Sequence, residues 1–264
     1  MILCVGLATV DLVYRVGRIP GADEKAQATA FEVAAGGPAA NAAVTAAALG
    51  APVTLVTAIG SHPLGALIRS DLQNHGVRVI DTAAASGAPP PVSSIVVAGH
   101  ERTIISRNAG ELEFSVPPEG LPEAALTLVD GHHPALAVAA ARAARRLVVD
   151  AGTWRPVFAD ILPYAEVVAC SSAFRHPAGV VEAPHVVVTH GPAPVTWTSG
   201  GVTRSVAVPP VDAVETSGAG DAFHGALAFF LAGGSTMEDA LAEAIRVAGV
   251  RVRHPGARDW LDRL

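Results

Sequence analysis

Lysine is almost missing. Lys25 is the only one, and the other 17 basic residues of this 264-residue chain are arginine. A P-loop needs a lysine directly after its last glycine. Lys25 instead follows Asp23 and Glu24, which excludes a Walker-type loop and disfavours a pyridoxal Schiff base. Any phosphate chemistry must therefore use backbone amides and arginines. Cysteine is scarce too. Cys4 and Cys170 are too few for a disulfide framework or a four-ligand zinc site, and read as buried fillers of a cytoplasmic protein. Positive charge is in deficit, with a net charge of −6, so no basic field is available for general nucleic-acid binding. Only 16% of residues are charged and 50% are apolar, which is not the composition of a disordered chain. No apolar run has the roughly 20 residues a membrane span needs. The stretch 39–59 is interrupted by Asn41, Gly50 and Pro52, and 225–231 is too short. The first residues lack a basic segment and carry Asp11 where a signal peptide stays apolar.

What is present is an alternation of short apolar runs with helical patterns. Buried strands are expected at 2–7, 53–59, 77–80, 126–129, 147–150, 167–169 and 186–189. Helices are expected at 38–49, 64–75, 136–145, 219–231 and 237–253, with Gly50 and Gly76 as stop signals. That order implies an α/β fold, a mostly parallel sheet covered by helices on both faces. Extended segments at 13–16 and 26–33 and a hairpin at 94–106 break the alternation and are expected to form a small separate sheet. A second hairpin is expected around Gly200 and Gly201.

Three segments carry chemistry. The first is 215–223, Glu-Thr-Ser-Gly-Ala-Gly-Asp-Ala-Phe, which opens an apolar helix. Gly218 and Gly220 leave backbone amides uncovered, and a helix amino end suits a phosphate. Asp221 falls in the first turn, where it could take a proton from a substrate hydroxyl while the amides of Ala219, Gly220 and Asp221 stabilise a moving phosphoryl group. A glycine turn with a favourably charged aspartate, and no chemistry, explains the same residues. The second is Gly36-Gly37-Pro38-Ala39-Ala40-Asn41. Paired glycines admit a ligand close to backbone, and Asn41 could bond sugar hydroxyls or be merely polar on a Pro-started helix. The third is Asp11, after the first strand, facing the crevice at the carboxyl ends of parallel strands.

In order and spacing these segments resemble the signatures of the PfkB, or ribokinase-like, family of carbohydrate kinases, over essentially the whole chain. Details such as Phe223-His224-Gly225-Ala226 and Gly256-Ala257-Arg258 are similar to sulfofructose kinase and its sugar-kinase neighbours. The resemblance implies a single ribokinase-like domain over 1–264, with a β-sheet lid from about 12–34 and 92–107. It implies ATP with magnesium as donor and a primary sugar hydroxyl as acceptor. It makes Asp221 the catalytic base and Gly218, Ala219 and Gly220 the anion hole. Asp11, Gly37 and Asn41 would bind sugar. Thr189 and Gly191 would bind nucleotide together with Gly218 and Gly220. Glu215 and Ser217 would stand beside a monovalent cation such as potassium. It also implies a homodimer through the lid strands, whose exposed edges invite pairing.

The chain departs from the family pattern in four ways. Glu215 replaces an aspartate, and Pro194 replaces the second glycine of the nucleotide loop. Residues 169–174 lack the N-x-x-E element associated with magnesium, and the loops within 82–130 and 170–200 are short. Lys25, on the lid, and Arg107 and Asn108, after its second hairpin, are candidates to meet the substrate. Ser106 and His132 stand where sulfofructose kinase has its other sulfonate contacts, so sulfofructose is not assigned. A nucleoside kinase on the same scaffold and a non-catalytic sugar or nucleotide sensor are the alternatives. An aromatic content of 5% weighs against the former and the intact Gly-Ala-Gly-Asp against the latter.

Overall fold

The computed structural model describes residues 1–99, 101–107, 112 and 114–264. Strand β1 (Ile2–Val5) is apolar on both faces because both are covered. Ile2 and Cys4 enter one core and Leu3 and Val5 the other, as the period-two alternation of a strand requires. Next come β2 (Thr9–Arg15), β3 (Ala30–Gly36), α1 (Pro38–Ala48), β4 (Val53–Thr57), α2 (Pro63–Asn74), β5 (Val77–Asp81), β6 (Val92–Ala98) and β7 (Glu101–Arg107). The chain continues with β8 (Leu126–Val129), α3 (Pro134–Ala143), β9 (Leu147–Ala151), α4 (Phe158–Ile161), β10 (Val167–Ser171) and β11 (His185–His190). It closes with β12 (Ala193–Ser199), β13 (Val202–Val206), α5 (Ala219–Ala232) and α6 (Met237–Arg253).

Nine strands form one sheet in the order β13-β12-β11-β10-β9-β8-β1-β4-β5. Every neighbouring pair from β11 to β5 is parallel, and β12 and β13 join as antiparallel neighbours. Helices α1, α2, α5 and α6 cover one face; α3 and α4 cover the other. A second, four-stranded sheet has the order β3-β2-β6-β7, with β2 and β6 parallel and both outer pairs antiparallel. The expected alternation, the two hairpins and the bounds of α6 all stand. Thr236 caps α6, accepting from the Asp239 amide at 3.2 Å. The short helix α4 is an addition; four residues are too few for a helical period to register. Among the described residues no helix is long and apolar enough to cross a membrane.

Helices α1 and α5 touch backbone to backbone. A Cβ on Gly225 of α5 would stand 2.3 Å from the Ala42 carbonyl oxygen and 2.9 Å from the Ala42 Cα. Gly225→Ala should gain roughly 1 kcal/mol of helix propensity. It should lose more to a clash with backbone that cannot rotate away, for a net cost of about 1–3 kcal/mol. Urea unfolding of the variant checks this, and an unchanged or raised midpoint would show that the helices separate freely.

Candidate active site

The strand order reverses direction around β1, the kind of switch point where α/β sheets open a crevice. Asp130, just past β8, closes the bottom of it. Its Oδ2 accepts the Leu7 amide at 2.8 Å and the Ala39 amide at 3.2 Å, and its Oδ1 accepts the His132 amide at 2.9 Å. One carboxylate thus ties the end of β1 to the start of α1. Between them Gly37 sits at φ +96°, where a Cβ would lie 2.5 Å from the Leu7 carbonyl oxygen, so both conformation and space require glycine.

The amino ends of α1 and α5 meet above this floor. Asn41 Nδ2 donates to Asp221 Oδ2 at 2.8 Å. Asn41 Oδ1 accepts from Arg258 Nη1 at 3.1 Å, which fixes the amide orientation. Arg258 is itself anchored to the Ala35 carbonyl at 2.7 Å and to Asp71 Oδ2 at 3.1 Å. Gly218, at φ +72°, turns the chain into α5. Gly220 and Asp221 follow in the first turn, where amides have no intrahelical acceptor. Gly220 is exposed, while the Ala219 amide already donates to the Thr216 carbonyl at 3.3 Å. The anion hole expected from three amides therefore has two uncommitted ones, on Gly220 and Asp221.

Acidic groups are crowded here. Burial, then the charge of Asp150 at the end of β9, push the Asp221 carboxyl up to about 6, against the hydrogen bond from Asn41 and the charge of His224. His224 Nδ1 lies 3.1 Å from Asp150 Oδ2. Burial alone would lower its pKa, but Asp150 and Asp221 outweigh burial and raise it. Asp11, on β2, accepts from Thr9 Oγ1 at 2.6 Å. Burial raises its pKa despite Thr9, Arg258 and Ser93. An open cleft brings together Asp11, Glu32, Asn41, Gly218 and Arg258 between the small sheet and the start of α5.

The small sheet is fastened to the loop before α5. Arg15 Nη2 of β2 meets Glu215 Oε2 at 2.5 Å, and Arg102 Nη1 of β7 donates to Ser217 Oγ at 3.0 Å. Arg251 Nη2 of α6 stands 3.7 Å from Glu215 Oε1. Thr189 lies near the end of β11, donating weakly to the Cys170 carbonyl at 3.4 Å, and Gly191 makes the turn into β12 at φ +62°. Lys25 is exposed and outside the cleft lining. Arg107 is the exposed last residue of β7, also outside that lining, and Asn108 lies outside the described residues. His132 Nε2 pairs with Arg155 at 3.0 Å. Among the described residues no group of three His, Cys, Asp or Glu side chains could hold a metal. Asp130, Asp150 and Arg251 were not singled out from sequence, and Arg258 was noted only within the Gly256-Ala257-Arg258 resemblance, without a role. The two aspartates carry the signal that drew attention to Asp11, an acid at the carboxyl end of a buried strand.

Residues 1–263 match the model of the pfkB family carbohydrate kinases. The chain belongs to that family. It is 29% identical to the ribokinase of Bacillus subtilis (strain 168), over 97% of this chain and 94% of that protein. Its fold matches that of Arabidopsis thaliana ribokinase complexed with ribose and ATP, with a TM-score of 0.78 and 20% identity over 97% of this chain and 93% of that one. It also matches the nucleoside kinase of Methanocaldococcus jannaschii, with a TM-score of 0.80 and 15% identity over 100% of this chain and 98% of that one. This member of the PfkB family is thus an ATP-dependent sugar kinase of ribokinase fold.

The raised Asp221 pKa has a consequence for stability. With the folded value near 6 and an ordinary value of 3.8, the folded state holds its proton more tightly than the unfolded chain. Stability from this group is therefore full at low pH and lost as pH rises through about 4 to 6. At about 1.4 kcal/mol per unit, the loss approaches about 3 kcal/mol. Asp221→Asn should be more stable than wild type by about 1–3 kcal/mol at about pH 8 and lose that advantage at about pH 4. Urea unfolding at the two pH values checks it, and equal stability at the higher one would show that the carboxyl ionises without cost.

Proposed function

We propose that the acceptor is a small neutral sugar of the ribose class and that Asp221 is the base which deprotonates its primary hydroxyl. The observation that carries this reading is the bond between Asn41 and Asp221. It sets a polarised carboxylate beside two helix amino ends, at the edge of the cleft that Asp11 and Asn41 line. The ionised form of Asp221 accepts the hydroxyl proton as the oxygen attacks the γ-phosphorus. The amides of Gly220 and Asp221 receive the charge of the transferring group. Asp11 accepts from sugar hydroxyls, Asn41 has a second amide hydrogen to offer, and the Gly37 turn brings backbone close. Thr189 and Gly191, at the end of β11, take the nucleotide side.

Neutrality of the acceptor follows from the arginines. Arg258 and Arg251 are the basic residues of the cleft lining. Arg258 spends its donors on Asp71, Asn41, Ala35 and Ala257, and Arg251 faces Glu215 and the His254 carbonyl. Arg258 has no donor left to meet a sulfonate or a second phosphate, and the charge of Arg251 is faced by Glu215. Magnesium fits a site where Asp150 and Asp221 repel one another. Asp150 would be the carboxylate of this chain that holds it, and the ion would supply positive charge to the phosphate oxygens.

Incubation with ATP and a panel of pentoses, ketohexoses and nucleosides, followed by ADP release, tests the acceptor. Pentoses are expected to be turned over best. Turnover restricted to nucleosides would overturn the sugar reading, and none with any acceptor would leave a sensor. Asp221→Asn should lower kcat by roughly 10²–10⁴-fold with little change in sugar KM.

The small sheet also serves as a dimer surface. Its register puts Phe31, Val33 and Ile105 on the face opposite the cleft-lining Val13 and Ile95, and Phe31 and Ile105 are 55% and 72% exposed. Ile105→Glu should convert a dimer to a monomer by light scattering. A wild-type monomer at micromolar concentration would refute the pairing.

A further inference from the structure

The loop that aims the α5 amides is held from behind by the end of α6. The Val214 and Glu215 amides both donate to the Val252 carbonyl, at 2.7 and 3.1 Å. Arg251, whose side chain is 6% exposed, places Nη2 3.7 Å from Glu215 Oε1 and donates from Nη1 to the His254 carbonyl at 2.9 Å. Its guanidinium lies 6.0 Å over the ring of Trp260. A Cβ on Gly218 would sit 3.7 Å from Arg251 Nε, 3.7 Å from Asn41 Nδ2 and 3.9 Å from Asp221 Oδ2, so this buried cation stands directly behind the turn that carries the base. On its other side the Glu215 carboxylate meets Arg15 at 2.5 Å.

This charge arrangement does not fit the monovalent ion that the resemblance implies beside Glu215 and Ser217. One carboxylate already faces two guanidiniums, and Ser217 Oγ accepts from a third, Arg102. A further cation would meet the guanidiniums of Arg15 and Arg251 across the single Glu215 carboxylate, and Glu215 Oε2 and Ser217 Oγ are already engaged. We propose that Arg251 is the resident cation of this kinase: its guanidinium takes the place of the monovalent ion behind the 214–218 loop and holds the loop in the form that presents the α5 amides to phosphate. An arginine suits this place because burial does not strip its charge. Arg251 acts through the loop and is a positioning residue. The inference rests on the kinase reading for its activity arm alone.

The test compares potassium with tetramethylammonium at a fixed ionic strength of about 0.1 M, so that screening is constant. Wild-type ADP release is expected to change less than about twofold and the melting temperature not to move. Arg251→Met keeps bulk and removes charge. It should lower kcat by at least about tenfold with sugar KM within about threefold, and potassium should restore part of that loss. Arg251→Lys should recover part of it without potassium. Saturable activation or stabilisation of the wild type by potassium would overturn the proposal, and so would an Arg251→Met variant with wild-type kcat. If the Met variant fails to fold, the wild-type titration and the Lys variant decide. If no acceptor is turned over, the sugar-kinase reading fails, while the melting titration still reads the cation site on its own.

Discussion

The hydrogen bond from Asn41 to Asp221 is the contact on which the site depends. It joins two helices 180 residues apart in sequence, and each partner is where it is for a separate physical reason. Asn41 stands one turn into α1, whose entry is set by the Gly37 conformation and the Asp130 clamp. Asp221 stands in the first turn of α5, whose approach is set by a glycine that lets backbone meet backbone. A bond to an ionised acceptor is worth more than a neutral one, about 1.5–3 kcal/mol. It works with the α5 amino end to favour the carboxylate, while burial and Asp150 oppose it. The outcome, a carboxyl poised near 6, is a compromise among those forces. A base so poised is mostly ionised at neutral pH yet more basic than a free aspartate.

The surrounding charges are arranged in tiers. Asp130 satisfies backbone amides and builds the floor. Asp150 holds His224, whose raised pKa follows from having two carboxylates near it. Asp71 anchors Arg258, which in turn orients the Asn41 amide. Glu215 gathers arginines from the small sheet and from α6. The sheet above the cleft and the loop below it are thus tied through Arg15 and Arg102, so that a movement of one must reshape the other.

Much of this was legible in the sequence, because the relevant signals are local. Apolar runs of three to seven residues with helical stretches between them specify a parallel sheet, and the bounds of α6 follow from a cap and a period. The Gly-Ala-Gly-Asp turn and the Gly-Gly-x-x-x-Asn entry mark the two helix starts. What was not legible depends on long-range partners. Arg258 and Asn41 meet across 217 residues, and nothing in either segment announces the other. Arg251 reads as one of several arginines late in an amphipathic helix until the fold turns it inward. Lys25 invites attention by being unique, but its exposed turn lies outside the cleft lining. The three-amide anion hole assumed an uncommitted Ala219, and the turn that makes the hole uses that amide.

A kinase with one lysine must meet phosphate some other way, and the four arginines around this cleft are turned to the protein. Arg15, Arg102, Arg251 and Arg258 all point at oxygens of the protein itself. They serve as fixed positive charges that shape loops and orient amides, a task for which a group that keeps its proton when buried is better suited than an ammonium. On the proposed reading, ligand contact would be left to the backbone amides of α5 and to Asp11, Asn41 and Asp221. Amides at a helix end discriminate anions from neutral groups, and carboxylates and an amide side chain discriminate hydroxyls from anions. Such a division would separate the phosphate side of the cleft from the sugar side. On the proposed reading, an anionic acceptor would have to displace Arg258 from its protein partners, and that cost would disfavour it.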